Sequence, residues 1–123
     1  MFQEPNFSIL KIHYLLVEKQ CHDVSVVLTT KEYGYEIQWS LSENCSSEYT
    51  YDDYYDGNGY DDNQDHVKNC CLPDGTYNLV CTDHSGDGWN GGYLTINGTR
   101  FCDDDYELFA DEISFAVTIE GIN

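Results

Sequence analysis

Basic residues are scarce. Five lysines and arginines stand against 23 aspartates and glutamates in 123 residues, a formal net charge of −18. Such a chain has no basic patch to displace the counterions of a nucleic acid, and anionic membrane surfaces repel it. No apolar run approaches the length that spans a bilayer. Catalytic signatures are missing too. There is no G-x-S-x-G, and His13, His22, His66 and His84 are scattered. Ser85 adjoins His84, but sequence neighbours rarely form a nucleophile–base pair, and carboxylate pairs are too plentiful to nominate a glycosidase pair. The chain is therefore read as a non-enzyme. Without a C-x-x-C pair or an H-x(3–5)-H, zinc is disfavoured. Met1 to Pro5 lack a basic start, an apolar stretch and a small-residue cleavage site. The expectation is a numbering that starts after processing, or a piece of a longer protein.

What is present begins with cysteine. Cys21, Cys45, Cys70, Cys71, Cys81 and Cys102 are even in number in a short chain, which points to three disulfides and a secreted, extracellular setting. Cys70 and Cys71 are adjacent, so on an extended backbone they face opposite sides and need different partners. Cys81 and Cys102 flank one loop and its hairpin, and a bridge is expected between them. Three N-x-[ST] sequons, at Asn6, Asn44 and Asn97, support secretion and glycosylation. Asn97-Gly98 also reads as a two-residue hairpin turn. Asn44 is the weakest acceptor, because a bridge at Cys45 competes for the same backbone.

Alternation predicts strands. Leu10, Ile12, Tyr14 and Leu16 share a face within residues 8–17, with a short amphipathic helix as the alternative. Strands follow at 22–30 and 35–41, the second with Tyr35, Ile37, Trp39 and Leu41 on one side. Residues 30–34 between them read as a hairpin connection. Residues 42–69 read as a long, acidic, tyrosine-rich loop. Further strands fall at 76–81, 93–97, 99–102 and 113–119. The fold class is all-β: an antiparallel, disulfide-stabilised β-sandwich, jelly-roll-like. Residues 1–20 form an N-terminal strand or arm, and 21–123 a single domain.

Within the loop between two of these strands, Asp83, Ser85 and Asp87 alternate and Gly88 follows. This is the first half of an EF-hand-like calcium loop. The carbonyl of Trp89 stands where a main-chain ligand is usual. The twelfth place, normally a bidentate glutamate, is Leu94, so the loop is not an EF-hand. The missing carboxylates are sought among Asp103, Asp104, Asp105, Asp111 and Glu112, with Asp104 and Asp111 favoured; Asn90 ligates or braces the turn. The competing reading is a glycine-rich hairpin whose aspartates only cap amides. Asp52, Asp53, Asp56, Asn58, Asp61 and Asp62 form a second site or a solvated acidic loop. Trp89 either stacks on a sugar beside the ion or covers the loop. Trp39 reads as core. Tyr49, Tyr51, Tyr54, Tyr55 and Tyr60 offer flat amphipathic surface, with Tyr54 and Tyr55 as ligand candidates, or shield a disulfide. Repulsion at −18 opposes compaction unless divalent cations, salt or a basic partner neutralise it.

Residues 70–102, from Cys70-Cys71-Leu-Pro-Asp-Gly-Thr-Tyr through Gly86-Asp-Gly-Trp-Asn-Gly-Gly to Arg100-Phe-Cys, resemble a cysteine-rich β-domain of secreted proteins of algae and other microbial eukaryotes. The resemblance covers about a quarter of the chain. It implies an extracellular, calcium-binding, glycosylated β-sandwich, similar to the subunits of glycosylated extracellular fibrils. The expected function is a structural subunit of such a fibril or matrix, self-associating by addition of the 1–20 strand to a neighbour's sheet; the same alternation fits an ordinary first strand of its own domain equally well. The alternative is a calcium-dependent carbohydrate-binding or adhesion module. A third reading is an accessory domain of a secreted hydrolase.

Overall fold

The computed structural model describes residues 21–103 and 112–120. The arm 1–20 with Asn6, and residues 104–111 with Asp104 and Asp111, lie outside the described residues. Among the described residues, eight strands form two antiparallel four-stranded sheets. They are β1 (His22–Thr29), β2 (Ile37–Ser42), β3 (Cys45–Ser46), β4 (Asp65–Leu72), β5 (Gly75–Asp83), β6 (Tyr93–Ile96), β7 (Thr99–Phe101) and β8 (Glu112–Ile119). One sheet has the order β4-β1-β6-β7 and the other β3-β2-β5-β8.

Period-2 side-chain alternation builds the core. Val24, Val26 and Leu28 of β1, with Leu94 and Ile96 of β6, pack with Ile37, Trp39 and Leu41 of β2, Leu79 and Cys81 of β5, and Val117 and Ile119 of β8. Trp39 is core, as expected. On β8 the alternation holds along the strand, with Ile113 and Phe115 half-buried ahead of Val117 and Ile119.

All six cysteines are bridged: Cys21–Cys71, Cys45–Cys70 and Cys81–Cys102. The adjacent Cys70 and Cys71 take different partners because their side chains leave β4 on opposite faces. Cys45–Cys70 ties β3 to β4, and Cys81–Cys102 ties β5 to the end of β7, so two bridges join one sheet to the other. Each closes a loop of 25 or 21 residues, where chain entropy alone gives about 3 kcal/mol. Asn97 (φ 50°) and Gly98 (φ 80°) make the expected exposed two-residue turn between β6 and β7.

Three expectations are corrected. Residues 30–34 are not a hairpin. β1 pairs with β4 and β6, and β2 with β3 and β5, so the segment crosses between sheets. Both strands carry an apolar face that needs the same core, and facing each other across it buries both. Tyr35 is not inward-facing. It lies in a 3-10 helix, Gly34–Glu36, and alternation begins only at Ile37.

The stretch 42–69 is not one loop. It holds β3, a short helix α1 (Tyr51–Tyr55) and most of β4. A capping box starts α1: Thr50 Oγ1 accepts from the Asp53 amide, and the Asp53 carboxylate accepts from the Thr50 amide at 2.8 Å. β4 escapes a periodicity reading because it is an edge strand buried mainly at Cys70 and Leu72, with Val67 exposed.

Candidate metal centre and its tyrosine face

The loop 84–92 leaves β5 at Asp83 and returns into β6 at Tyr93. Its curvature comes from left-handed backbone at Gly86, Gly88, Asn90 and Gly91. Asp83 is buried, 2% exposed, and organises the turn. Its Oδ2 accepts from the Asp87 amide at 2.5 Å, and its Oδ1 from the Ser85 amide at 3.3 Å. The spacing that suggested ligands therefore brings Asp83, Ser85 and Asp87 to one point, as expected.

The surprise is Glu36. It is 6% exposed and comes from the 3-10 helix that leads into β2. β2 pairs with β5 so that Ile37 lies opposite Asp83, and the His84 amide donates to the Glu36 carbonyl at 3.1 Å. Carboxylate oxygens of Glu36, Asp83 and Asp87 all lie within 4.8 Å of one another. Oxygens on opposite sides of one calcium ion, each at roughly 2.4 Å, stand about that far apart. Ser85 Oγ lies between them, 2.6 Å from Glu36 Oε1, 2.7 Å from Asp87 Oδ1 and 3.4 Å from Asp83 Oδ1. One hydroxyl proton cannot be given to three carboxylates at once. Among the described residues no Lys or Arg pairs with this cluster, and the ion pairs are His22–Asp74 and Arg100–Asp103.

The electrostatics carry the mark of that gap. Burial pushes the Asp83 carboxyl up to about 7, against the amide hydrogen bonds from Ser85 and Asp87 that pull it down, and the neighbouring Asp87 raises it further. Asp87 is held low, chiefly by the Ser85 hydroxyl. Burial lowers the His84 imidazole, whose Nε2 lies 2.9 Å from Gln38 Oε1.

The other ligand candidates fare differently. Glu112 lies opposite Thr82, so it shares the face of Thr82 and points away from Asp83. Asp103 is exposed and pairs with Arg100 at 3.5 Å. Asn90 braces the turn, with Nδ2 donating to the Gly88 carbonyl at 3.3 Å. The Trp89 carbonyl accepts from the Gly92 amide at 3.0 Å, which leaves it one lone pair. The Trp89 ring is 0% exposed and Nε1 donates to the Thr82 carbonyl at 3.0 Å. It therefore clamps the loop to the core, which is the covering role weighed for it above; the other role, stacking on a ligand, is corrected, because a buried ring offers no face.

Exposed aromatic surface lies elsewhere. Tyr35 and Tyr54 stack with planes 7° apart and centroids at 5.7 Å. Tyr33 meets Tyr35 edge-on at 6.4 Å, Tyr55 meets Tyr54 edge-on at 5.3 Å, and His84 lies 5.0 Å from Tyr54. Two glycines allow the approach. A Cβ on Gly59 would sit 2.4 Å from the Tyr35 Cα, and one on Gly34 2.6 Å from the Tyr60 carbonyl. Tyr49 and Tyr60 turn the other way. They meet edge-on at 5.0 Å, and Tyr60 is buried, with its hydroxyl accepting from the Glu48 amide at 2.8 Å.

Sequence reasoning missed Glu36, Tyr33 and Tyr35. No spacing rule links positions 36 and 83; only the β2–β5 register does. Comparison of the chain with protein-family models, with curated proteins and with solved structures gives no match.

Proposed function

We propose that this chain is a structural subunit of an extracellular, glycosylated, calcium-stabilised fibril or matrix. One observation carries the reading: buried Glu36 and Asp83 converge with Asp87 and Ser85 on one point, and no lysine or arginine pairs with them among the described residues. Hard oxygen donors of net negative charge suit calcium, and an ion there would fasten the entry to β2 to the β5–β6 loop. The inter-sheet bridges support an oxidising compartment. Asn44 and Asn97 are exposed, which suits glycan attachment. Assembly by strand addition from residues 1–20 rests on the alternation of residues 8–17.

The test has two arms. Elemental analysis of protein purified in calcium should find one ion, and excess chelator should lower the melting temperature. A metal-free protein with an unchanged melt would remove calcium from the proposal. Deleting residues 1–20 should leave monomers under the electron microscope; filaments persisting in the truncation would remove strand addition.

The exposed tyrosines favour a second reading, adhesion. They move its contact surface from Trp89 to Tyr33, Tyr35, Tyr54 and Tyr55.

A further inference from the structure

Four large apolar or aromatic side chains are exposed among the described residues: Tyr33 at 48%, Tyr35 at 42%, Tyr55 at 65% and Val67 at 60%. Three of them belong to one face, joined by the half-buried Tyr54. Clustered exposed aromatics of this kind mark a contact surface. Tyr33 also holds a left-handed backbone, φ 57°, which is uncommon for a bulky residue and tends to persist where a site needs it.

The charge around the face selects its occupant. Asp52 and Asp56 bracket Tyr54 and Tyr55 on α1, and both are exposed. The Asp62 carboxylate accepts from the Gly34 amide at 2.8 Å, beside Tyr33 and Tyr35. None of these aspartates is ion-paired among the described residues. An anionic ligand is repelled here. A neutral glycan can donate hydroxyls to the carboxylates but carries no net charge for their field to attract, whereas a cation gains from both the field and the ring quadrupoles. The chain already uses this chemistry once: the Arg100 guanidinium lies 3.6 Å from the centroid of the Tyr93 ring. Guanidinium stacks flat on aromatic rings and pairs with carboxylates in a fork, which ammonium cannot do.

We propose that the face formed by Tyr33, Tyr35, Tyr54 and Tyr55 docks an arginine-rich segment of a partner protein. This deepens the adhesive reading by naming the partner's chemistry, and it does not depend on the ion at Glu36 and Asp83.

The probe is a fluorescein-labelled nona-arginine peptide, titrated against the full chain at physiological salt and read by anisotropy. Tyr35→Leu/Tyr54→Leu should weaken binding about ten-fold, on the order of three-fold per ring. Tyr35→Phe/Tyr54→Phe should bind like the parent, because the π-face is kept. A nona-lysine peptide should bind at least about three-fold more weakly than nona-arginine. Should the double leucine variant fail to fold by circular dichroism, Tyr55→Leu carries the test, since Tyr55 is the most exposed ring. Equal binding by the leucine variants, or equal binding of the lysine and arginine peptides, would overturn the proposal by reducing it to net charge. So would a glycan array that binds in a Tyr35-dependent manner while the arginine peptide does not. The titration is repeated in chelator. Arginine binding that survives there, with a melt that ignores calcium, sinks the metal reading and leaves this one standing.

Discussion

Two acidic, glycine-bearing segments of this chain have similar composition and opposite structures. Residues 83–92 turn carboxylates inward, toward Glu36, and bury Trp89 beneath the loop. Residues 50–62 turn Asp52, Asp56, Asp61 and Asp62 outward and gather rings instead. Convergence needs a buried neighbour that contributes an oxygen, and among the described residues the first segment has one in Glu36. The second is organised by a capping box and by Gly59 lying against Tyr35. A count of aspartates therefore says little about where a cation goes; register with an adjacent strand says more.

The comparison can be broken most strongly at Trp89. Trp89→Ala removes a fully buried ring and its hydrogen bond to Thr82, and should cost about 3–5 kcal/mol in urea denaturation. A loss below about 1 kcal/mol would mean that the ring does not clamp the loop. Next is the ion. Calcium at a hundred times its Kd should stabilise the parent by about 2.7 kcal/mol. Glu36→Gln should abolish most of that increment, whereas Asp52→Asn/Asp56→Asn should leave it intact. An increment that survives Glu36→Gln but is lost in the α1 variant would exchange the roles of the two segments.

The pH dependence sharpens the same contrast. The Asp83 carboxyl is raised in the fold to about 7, so at pH between its unfolded and folded values the native chain holds a proton that the unfolded chain does not. In chelator, this group's contribution is fully present below about pH 4, its unfolded value, and is lost as pH rises through about 7. Calcium bound there would compete with that proton, so its increment should be larger at pH 8 than at pH 5. Melts in chelator and in calcium across that range check both slopes; an increment that grows toward pH 5 would contradict the assignment. The smallest expected effect is Thr50→Ala, about 1 kcal/mol from the lost cap of α1, with no change in calcium response.

Much of the frame was legible before the fold was known. Alternation located β1, most of β2, β5, β6 and β8, because each has one face in the core, and β7 followed from the Asn97-Gly98 turn. The Asn97-Gly98 turn and the Cys81–Cys102 bridge followed from local spacing. β4 was not legible, since an edge strand with Val67 and Lys68 exposed has little apolar rhythm. α1 was hidden among tyrosines and aspartates that favour no helix; the Thr50–Asp53 box starts it and the stacking of Tyr54 on Tyr35 holds it in place.

The sequence by itself determined an acidic, three-disulfide β-sandwich and a loop in which Asp83, Ser85 and Asp87 converge, because strand period, turn chemistry and ligand spacing are local properties. Tertiary structure alone decided that β1 and β2 face each other across the core, that Trp89 is buried while Tyr33 and Tyr35 are not, and that Glu36 joins Asp83. Each of these depends on which strands become neighbours, and neighbours are chosen by burial of whole faces, which no single segment encodes.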